Sequence, residues 1–267
     1  MIESGIFKRT ERLLGSELTQ ILKQKRVLVV GVGGVGSWCV ESLVRTGIGH
    51  ITIVDSDNVC ITNINRQLMA TVETVGQPKV DVLKARMLSI NPALDIEARK
   101  EIYSDENYEA FHLDSYDYVI DAIDSLDNKA SLIRRVCATK AVLFSSMGAA
   151  LKIDPTRVSV AEFWNVKGCP LAAALRRKFK RSKDFPKKKF KCVFSDELLT
   201  NEGADCDCGT EECVCRKERL AGGEAEWHQT KKQANGSLSH ITAIFGFTLA
   251  GLVISDIRTK AIRQQKS

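Results

Sequence analysis

The sequence predicts an α/β fold in which a doubly wound, mostly parallel sheet carries helices on both faces. Short apolar runs alternate with amphipathic segments between about residues 25 and 163, and this alternation is typical of βαβ units. A glycine-rich turn joins the first apolar run to a helix. Apolar residues make up 44% of the 267-residue chain and charged residues 27%, so we expect one large domain with a packed core.

Each element follows from its local pattern. Leucines and isoleucines on one side predict an amphipathic helix over 7–24, and "KRVLVVG" predicts a buried strand over 25–31. The glycine turn then opens a helix that ends near Gly47. Further along the chain, the same reasoning predicts strands at 50–55, 95–102, 116–124, 141–148 and 157–163, with helices at 76–92 and 128–140.

The pattern changes after this core, which spans about residues 7–162. A less regular, basic and cysteine-rich insertion is predicted over 163–237, and a closing helix over 238–263, all within a single domain. The apolar run at 241–254 has fourteen residues, fewer than the roughly 20 that span a bilayer. We therefore expect a buried or interface helix there and no membrane span.

Positive charge is concentrated in residues 176–191, which hold ten Lys or Arg and one Asp for a net charge of +9. The whole chain has a net charge of +6, so the remainder carries −3. Such a segment favours a polyanionic partner such as RNA. A solvated loop without a partner is the alternative.

The nine cysteines fall into a cluster and scattered single residues. No secretory signal opens the chain, so mostly free thiols are expected. Cys192 lies in "KCVFSDE", which predicts a packed strand, and it is interpreted as a structural thiol rather than a nucleophile. Two interpretations stay open for the cluster, a structural metal site or a reduced loop, and its members are Cys206, Cys208, Cys213 and Cys215.

A nucleotide site is predicted at the glycine turn of this Rossmann-like fold. Gly31, Gly33 and Gly36 fit the pattern G-x-G-x-x-G between a strand and a helix. Glycines let the backbone approach a phosphate, and the helix N-terminus offers N–H donors. Asp55 ends the second strand, where an acid binds a ribose hydroxyl. This pattern alone leaves NAD, FAD and ATP open.

The residues that follow favour a triphosphate. Asn63, Arg66 and Gln67 come just after the acidic strand end, and Lys79 opens the next helix. Two cations beside a ribose site suit ATP better than a dinucleotide. Asp124 ends the fourth predicted strand, where a carboxylate could hold Mg²⁺ against phosphates.

With these motifs, the chain resembles the ubiquitin-activating-enzyme-like superfamily of adenylating enzymes. "GVGGVGSW", "IVDSDNVCITNINRQ", "GQPKV" and "DAIDS" carry the resemblance over about residues 7–160. It implies that Gly34 and Asp55 bind ATP and that Asp124 coordinates Mg²⁺. It also implies phosphate contacts by Asn63, Arg66 and Lys79. Many members have Asn where this chain has Ser125.

The resemblance also implies a homodimer in which an arginine of one N-terminal helix reaches the site of the partner. Arg9 and Arg12 are the candidates in this chain. Within the superfamily, "IDPTRVSV", "PLAAALRRKFK", "CVFSDE" and "TAIFGF" resemble the tRNA threonylcarbamoyladenosine dehydratase family. That likeness implies ATP-dependent cyclisation of the modified adenosine in a cytoplasmic tRNA, with residues 176–191 contacting the RNA. In that family an Asp often stands where this chain has Cys169.

Three other functions were weighed. An adenylyltransferase for a ubiquitin-like sulfur carrier would share the ATP site and leave sulfur-trafficking proteins as partners, but the C-x-x-C pairs common in those enzymes are absent from the sequence. A non-catalytic binding module usually lacks the phosphate-binding cations that this chain keeps. A nicotinamide dehydrogenase needs an acid/base pair near a hydride site, and the sequence contains no recognisable one.

Overall fold

Seven strands form one sheet in the part of the chain that the structure describes. The computed structural model describes residues 5–203 and 235–264. From one edge to the other the order is β3-β2-β1-β4-β5-β7-β6, and only β6 runs antiparallel to its neighbour. The predicted doubly wound sheet is therefore confirmed. Its strands are β1 Arg26–Val30, β2 His50–Val54, β3 Asp95–Arg99, β4 Tyr118–Asp121, β5 Val142–Ser146, β6 Val158–Glu162 and β7 Lys191–Ser195.

Helices cover both faces of this sheet. They are α1 Lys8–Leu14, α2 Ser16–Gln24, α3 Gly36–Thr46, α4 Lys79–Ile90, α5 Leu126–Cys137, α6 Pro170–Ser182 and α7 Ser239–Gln264. Successive side chains of β1 point to opposite faces. Val27 and Val29 join the core formed with α2, α3, α4 and α7, whereas Leu28 and Val30 join the core formed with α5 and α6.

The N-terminal helix predicted over 7–24 is in fact two helices. The chain turns at Gly15, whose φ of 82° is a conformation that glycine adopts at little cost. The second helix, α2, buries Leu18 and Leu22, but α1 buries none of its residues. The sequence analysis did not predict this break, because the amphipathic pattern continues through Gly15.

Part of the segment 163–237, which the sequence suggested to be a less regular insertion, belongs to the sheet. The helix α6 buries Ala172, Leu175 and Phe179. The strand β7 lies between β5 and β6, and Cys192 and Val193 are fully buried in it. The packed strand predicted around Cys192 is thus confirmed. The four clustered cysteines, between residues 206 and 215, lie outside the described residues.

The closing helix α7 packs along α3 and also contacts α2, β5 and β7. By length and composition alone it is long and apolar enough to cross a membrane, with a mean hydropathy of 1.6. Half of that apolar window is buried inside the protein, and Phe245, Leu249 and Val253 are fully buried. The interpretation of 241–254 as a buried helix is therefore confirmed.

A crevice forms where the order of the strands reverses. From β1 the chain moves outward to β2 and β3, and it then returns to place β4 on the other side of β1. Ligands of doubly wound sheets bind beyond the carboxyl ends of the strands at such a point. The glycine turn after β1 and the loop after β4 meet there, because Ala122 lies against Gly31.

Candidate nucleotide-binding site

Two glycines shape the turn after β1. Gly31 has a φ of 87°, and a Cβ on it would lie 2.7 Å from the carbonyl oxygen of Ala122. A Cβ on Gly36 would lie 1.8 Å from the carbonyl oxygen of Gly31. Both distances are shorter than real Cβ atoms show, so the tight turn requires glycine at each position. The turn in this way brings the N-terminus of α3 to the crevice.

Of the two glycines between them, Gly33 has more room around it than Gly34. The nearest atom to a Cβ on Gly33 would be Nε2 of Gln67, at 3.7 Å. A Cβ on Gly34 would lie 3.2 Å from the side chain of Thr242 and 3.5 Å from Cγ of Arg66. The backbone is therefore accessible to a phosphate at Gly33, with Arg66 beside Gly34.

Asp55, which follows β2, is hydrogen-bonded to the glycine turn. Its Oδ2 accepts a hydrogen bond from the N–H of Val32 at 2.9 Å, and its Oδ1 accepts one from the N–H of Asp57 at 3.0 Å. Burial raises the pKa of the Asp55 carboxyl, and the ammonium of Lys79 offsets only part of that rise. A carboxylate oxygen has a second lone pair, so these contacts leave it able to accept from a ribose hydroxyl.

Lys79 is buried at the start of α4, with 5% of its surface exposed. Its Nζ lies 2.7 Å from Oδ2 of Asp57. Burial lowers the pKa of Lys79, but Asp55 and Asp57 raise it by more, so its pKa lies above the ordinary value. The lysine is thus held as a cation at the crevice. Sequence reasoning missed Asp57; the D-x-D spacing after β2 was the available signal.

The stretch 62–67 is held by its own backbone and by a neighbouring side chain. Oδ1 of Asn63, a buried residue, accepts from the N–H of Cys60 at 3.0 Å. The guanidinium of Arg66 donates to the carbonyl of Thr62 at 2.7 Å and to Oδ1 of Asn65 at 2.8 Å. These bonds fix the direction of a cation beside the glycine turn.

The side-chain oxygen of Gln67 gives evidence on whether this crevice fits a nucleotide. Only 7% of the surface of Gln67 is exposed, and its Oε1 is buried without a hydrogen-bond partner in the described residues. Leaving a buried acceptor unpaired costs about 1–3 kcal/mol. Its amide lies next to the open face of Gly33. An amino or hydroxyl donor on a ligand over the glycine turn would satisfy that oxygen, which fits a nucleotide.

Asp124 is exposed in the loop between β4 and α5. That loop rests on a fully buried ion pair, because Nζ of Lys129 lies 2.8 Å from Oδ2 of Asp121. Lys129 also donates to the carbonyl of Ile123 at 2.9 Å, and the hydroxyl of Ser145 donates to Asp121 at 2.6 Å. Sequence reasoning missed Asp121 and Lys129, since a lysine in a helix is more often solvated.

No group of three or more His, Cys, Asp or Glu side chains that could hold a metal occurs within residues 5–203 and 235–264. Mg²⁺ in nucleotide sites uses one or two carboxylates together with the phosphates, so such a group is not required for it. The exposed carboxylate of Asp124 lies three residues beyond the end of β4.

The buried cysteines behave as core residues. Cys39, Cys60 and Cys137 are buried. Burial raises the pKa of Cys192 well above its ordinary value, which disfavours the nucleophilic thiolate. Cys169, also buried, precedes α6.

The basic segment 176–191 is partly helix and partly loop. Residues 176–182 belong to α6, a loop follows, and Lys191 opens β7. Phe179 and Phe190 are buried in the core, so they are not available to stack on bases. Phe185 is 47% exposed and lies beside Trp164, with 6.0 Å between the ring centroids.

The chain is similar to known proteins over most of its length. The tRNA threonylcarbamoyladenosine dehydratase of Bacillus subtilis is 39% identical over 253 residues, which cover 94% of each chain. The enzyme of that name from Escherichia coli is 36% identical over 97% of this chain and 95% of its own.

A solved structure resembles the whole fold as well. The crystal structure of the E. coli tRNA N6-threonylcarbamoyladenosine dehydratase in complex with ATP matches with a TM-score of 0.80 and 34% identity. The match covers 97% of this chain and 96% of that one. The ThiF family model matches residues 7–264. The chain therefore belongs to the ThiF family.

Proposed function

We propose that this protein is an ATP-dependent tRNA threonylcarbamoyladenosine dehydratase. The observation that carries the proposal is the likeness to two bacterial dehydratases over 94–97% of the chain. A crevice with a glycine turn, a buried acid and fixed cations supports it independently, because these groups suit ATP. The E. coli relative was crystallised with ATP.

The proposed reaction begins when the threonine carboxylate of the modified adenosine attacks the α-phosphorus of ATP. The bond from that phosphorus to the bridging oxygen breaks, and pyrophosphate leaves. A nucleophilic atom of the carbamoyl group then attacks the acyl carbon and gives up its proton. AMP departs with one oxygen of the original carboxylate, so the nucleoside loses the elements of one water.

The residues contribute alignment and charge rather than covalent chemistry. In this proposal the backbone at Gly33 and Gly34 approaches the phosphates, with Gly31 and Gly36 shaping the turn. Asp55 accepts from the ribose hydroxyls.

Four further residues complete the nucleotide contacts. Arg66 and Lys79 neutralise charge that builds on the leaving pyrophosphate, and Asn63 and Gln67 hydrogen-bond the nucleotide. Asp124 would hold Mg²⁺, which when bound supplies further neutralisation of the phosphates. Loss of any one of these charges should slow adenylation without removing the fold.

The homodimer and its shared site are further parts of the proposal. The exposed helix α1 carries Arg9 and Arg12 and buries none of its own residues, and Leu13 on it is 83% exposed. A second copy covering α1 would bury Leu13 and bring an arginine toward the other crevice. We expect the enzyme to act on tRNA in the cytoplasm.

ATP–pyrophosphate exchange tests the proposal against its main alternative. Purified protein is incubated with ATP, Mg²⁺ and labelled pyrophosphate, and either tRNA carrying threonylcarbamoyladenosine or a ubiquitin-like sulfur carrier is added. We expect label to enter ATP with the modified tRNA and not with unmodified tRNA. Exchange that depends on the carrier alone would instead assign the protein to carrier activation.

A further inference from the structure

A cavity of about 450 Å³ opens at the amino-terminal edge of the sheet, away from the nucleotide crevice. Its walls come from the start of β5, the start of β7, the end of α5 and the last turns of α7. Among the described residues, six cationic side chains line it and Asp256 is its only carboxylate. The cations are Lys140, Lys188, Lys189, Lys191, Lys260 and Arg263.

Two of these cations have local partners. Lys188 donates to the carbonyl of Thr139 at the end of α5, and Lys260 lies 2.8 Å from Asp256. Asp256 also accepts from the hydroxyl of Tyr118 at 2.9 Å. The one acid of the cavity is therefore already occupied by a neighbouring cation and a hydroxyl.

The other four cations have no such partner. Within the described residues, no ion pair or hydrogen bond of the side chain is found for Lys140, Lys189, Lys191 or Arg263. All four are exposed. Lys189 and Lys191 belong to the basic segment, whereas Lys140 and Arg263 come from two other parts of the chain. Their convergence is therefore a property of the fold that the basic segment alone does not predict.

The negative C-terminal ends of the neighbouring helices balance only a small part of the positive charge in the cavity. Both α5 and α7 end at the cavity, and each helix C-terminus carries about −0.5 elementary charge. Six cations against one carboxylate give the lining a net charge of +5, of which the two helix ends would balance about one charge. A concentrated excess of positive charge in a concave site attracts an anion.

We propose that this cavity binds the phosphate backbone of the tRNA substrate, at a place remote from the adenosine that reacts. The proposal rests on the function proposed above. The strand β5 has five residues, and at about 3.3 Å per residue it separates the cavity from the crevice edge by about 17 Å. A helical arm of a tRNA spans more than that. Several phosphates can therefore be held here while the modified base reaches ATP.

The test uses two cations of the cavity that lie outside residues 176–191. Lys140→Gln combined with Arg263→Gln removes two charges from the cavity. Lys84→Gln combined with Lys100→Gln is the matched control, because both lysines lie near the β3 side of the sheet and neither forms an ion pair in the described residues. Binding of an unmodified tRNA transcript is measured by fluorescence anisotropy over a series of salt concentrations.

We expect the cavity variant to bind the transcript about tenfold more weakly at low salt, while the slope of log affinity against log salt falls by about 2. The control should keep the wild-type slope, and both variants should keep wild-type ATP affinity and thermal midpoint. Equal slopes for the two variants would overturn the proposal. So would an unchanged tRNA affinity with weakened binding of a poly-glutamate peptide, which would assign the cavity to an acidic protein segment.

Because the transcript carries no modification, the result does not depend on catalysis. If the wild-type protein bound the transcript through this cavity but never dehydrated modified tRNA, the proposed function alone would fail.

Discussion

At the scale of single residues, Arg66 is the clearest test of the nucleotide site. Its guanidinium is oriented by Thr62 and Asn65 beside the open glycine turn. We expect Arg66→Ala to slow ATP–pyrophosphate exchange about a hundredfold or more, because one charge stabiliser of the transition state is lost. Arg258→Ala, which removes an exposed arginine from α7, is the control and should leave the exchange rate unchanged. A rate within twofold of wild type for both would remove Arg66 from the site.

Lys129 tests the buried support of the loop that carries Asp124. Lys129→Met leaves the carboxylate of Asp121 buried without its partner, so the free energy of unfolding should fall by about 3–5 kcal/mol. Lys178→Met breaks a partly exposed pair with Asp127 and should cost less than about 1 kcal/mol. Chemical denaturation of the two variants measures the difference. Similar losses for both would mean that the buried pair does not fix this loop.

The glycines, Asp55 and the stretch around Arg66 could be predicted because each stands at a fixed distance from a strand or a turn. Lys129 could not, because its importance depends on burial. A lysine is rarely buried unless it is paired, and its partner Asp121 lies in a different element. Nothing in the local sequence brings these two residues together.

At the scale of elements, the contact between α7 and α3 depends on one glycine. A Cβ on Gly246 would lie 2.5 Å from the carbonyl oxygen of Val35 and 2.8 Å from the backbone nitrogen of Cys39. Since backbone atoms cannot move aside alone, Gly246→Ala should destabilise the protein by about 1–3 kcal/mol.

Gly251 offers a control in the same helix. A Cβ there meets nothing within 4 Å, so Gly251→Ala should stabilise α7 by up to about 1 kcal/mol through helix propensity. Thermal unfolding of the two variants gives opposite shifts of the midpoint if α7 packs closely on α3. A rise of the midpoint for both would contradict that packing.

The same elements explain where sequence reasoning succeeded. Strands and helices up to Glu162 were found because apolar periodicity and glycines mark their limits. The break at Gly15 was missed because the apolar face continues from α1 into α2. The strand β7 was recognised as a packed strand, but its position between β5 and β6 is set by pairing across the sheet, which local patterns do not encode.

At the scale of the whole molecule, the fold separates two sites that hold cations. The crevice at the carboxyl edge gathers Arg66 and Lys79 around a glycine turn, and the cavity at the amino edge gathers six cations. The charge of residues 176–191 was visible in the sequence, but the contribution of Lys140 and Arg263 required the fold. In the proposals made above, ATP binds in the crevice and the tRNA backbone binds in the cavity.

The most direct test of the account is the mass of the modified nucleoside. Modified tRNA is incubated with the protein, ATP and Mg²⁺, digested to nucleosides under mild conditions, and analysed by mass spectrometry beside a reaction without ATP. We expect threonylcarbamoyladenosine to lose the mass of one water molecule only when ATP is present, with one AMP released per nucleoside converted. An unchanged nucleoside in the presence of protein that binds ATP would contradict the dehydratase function.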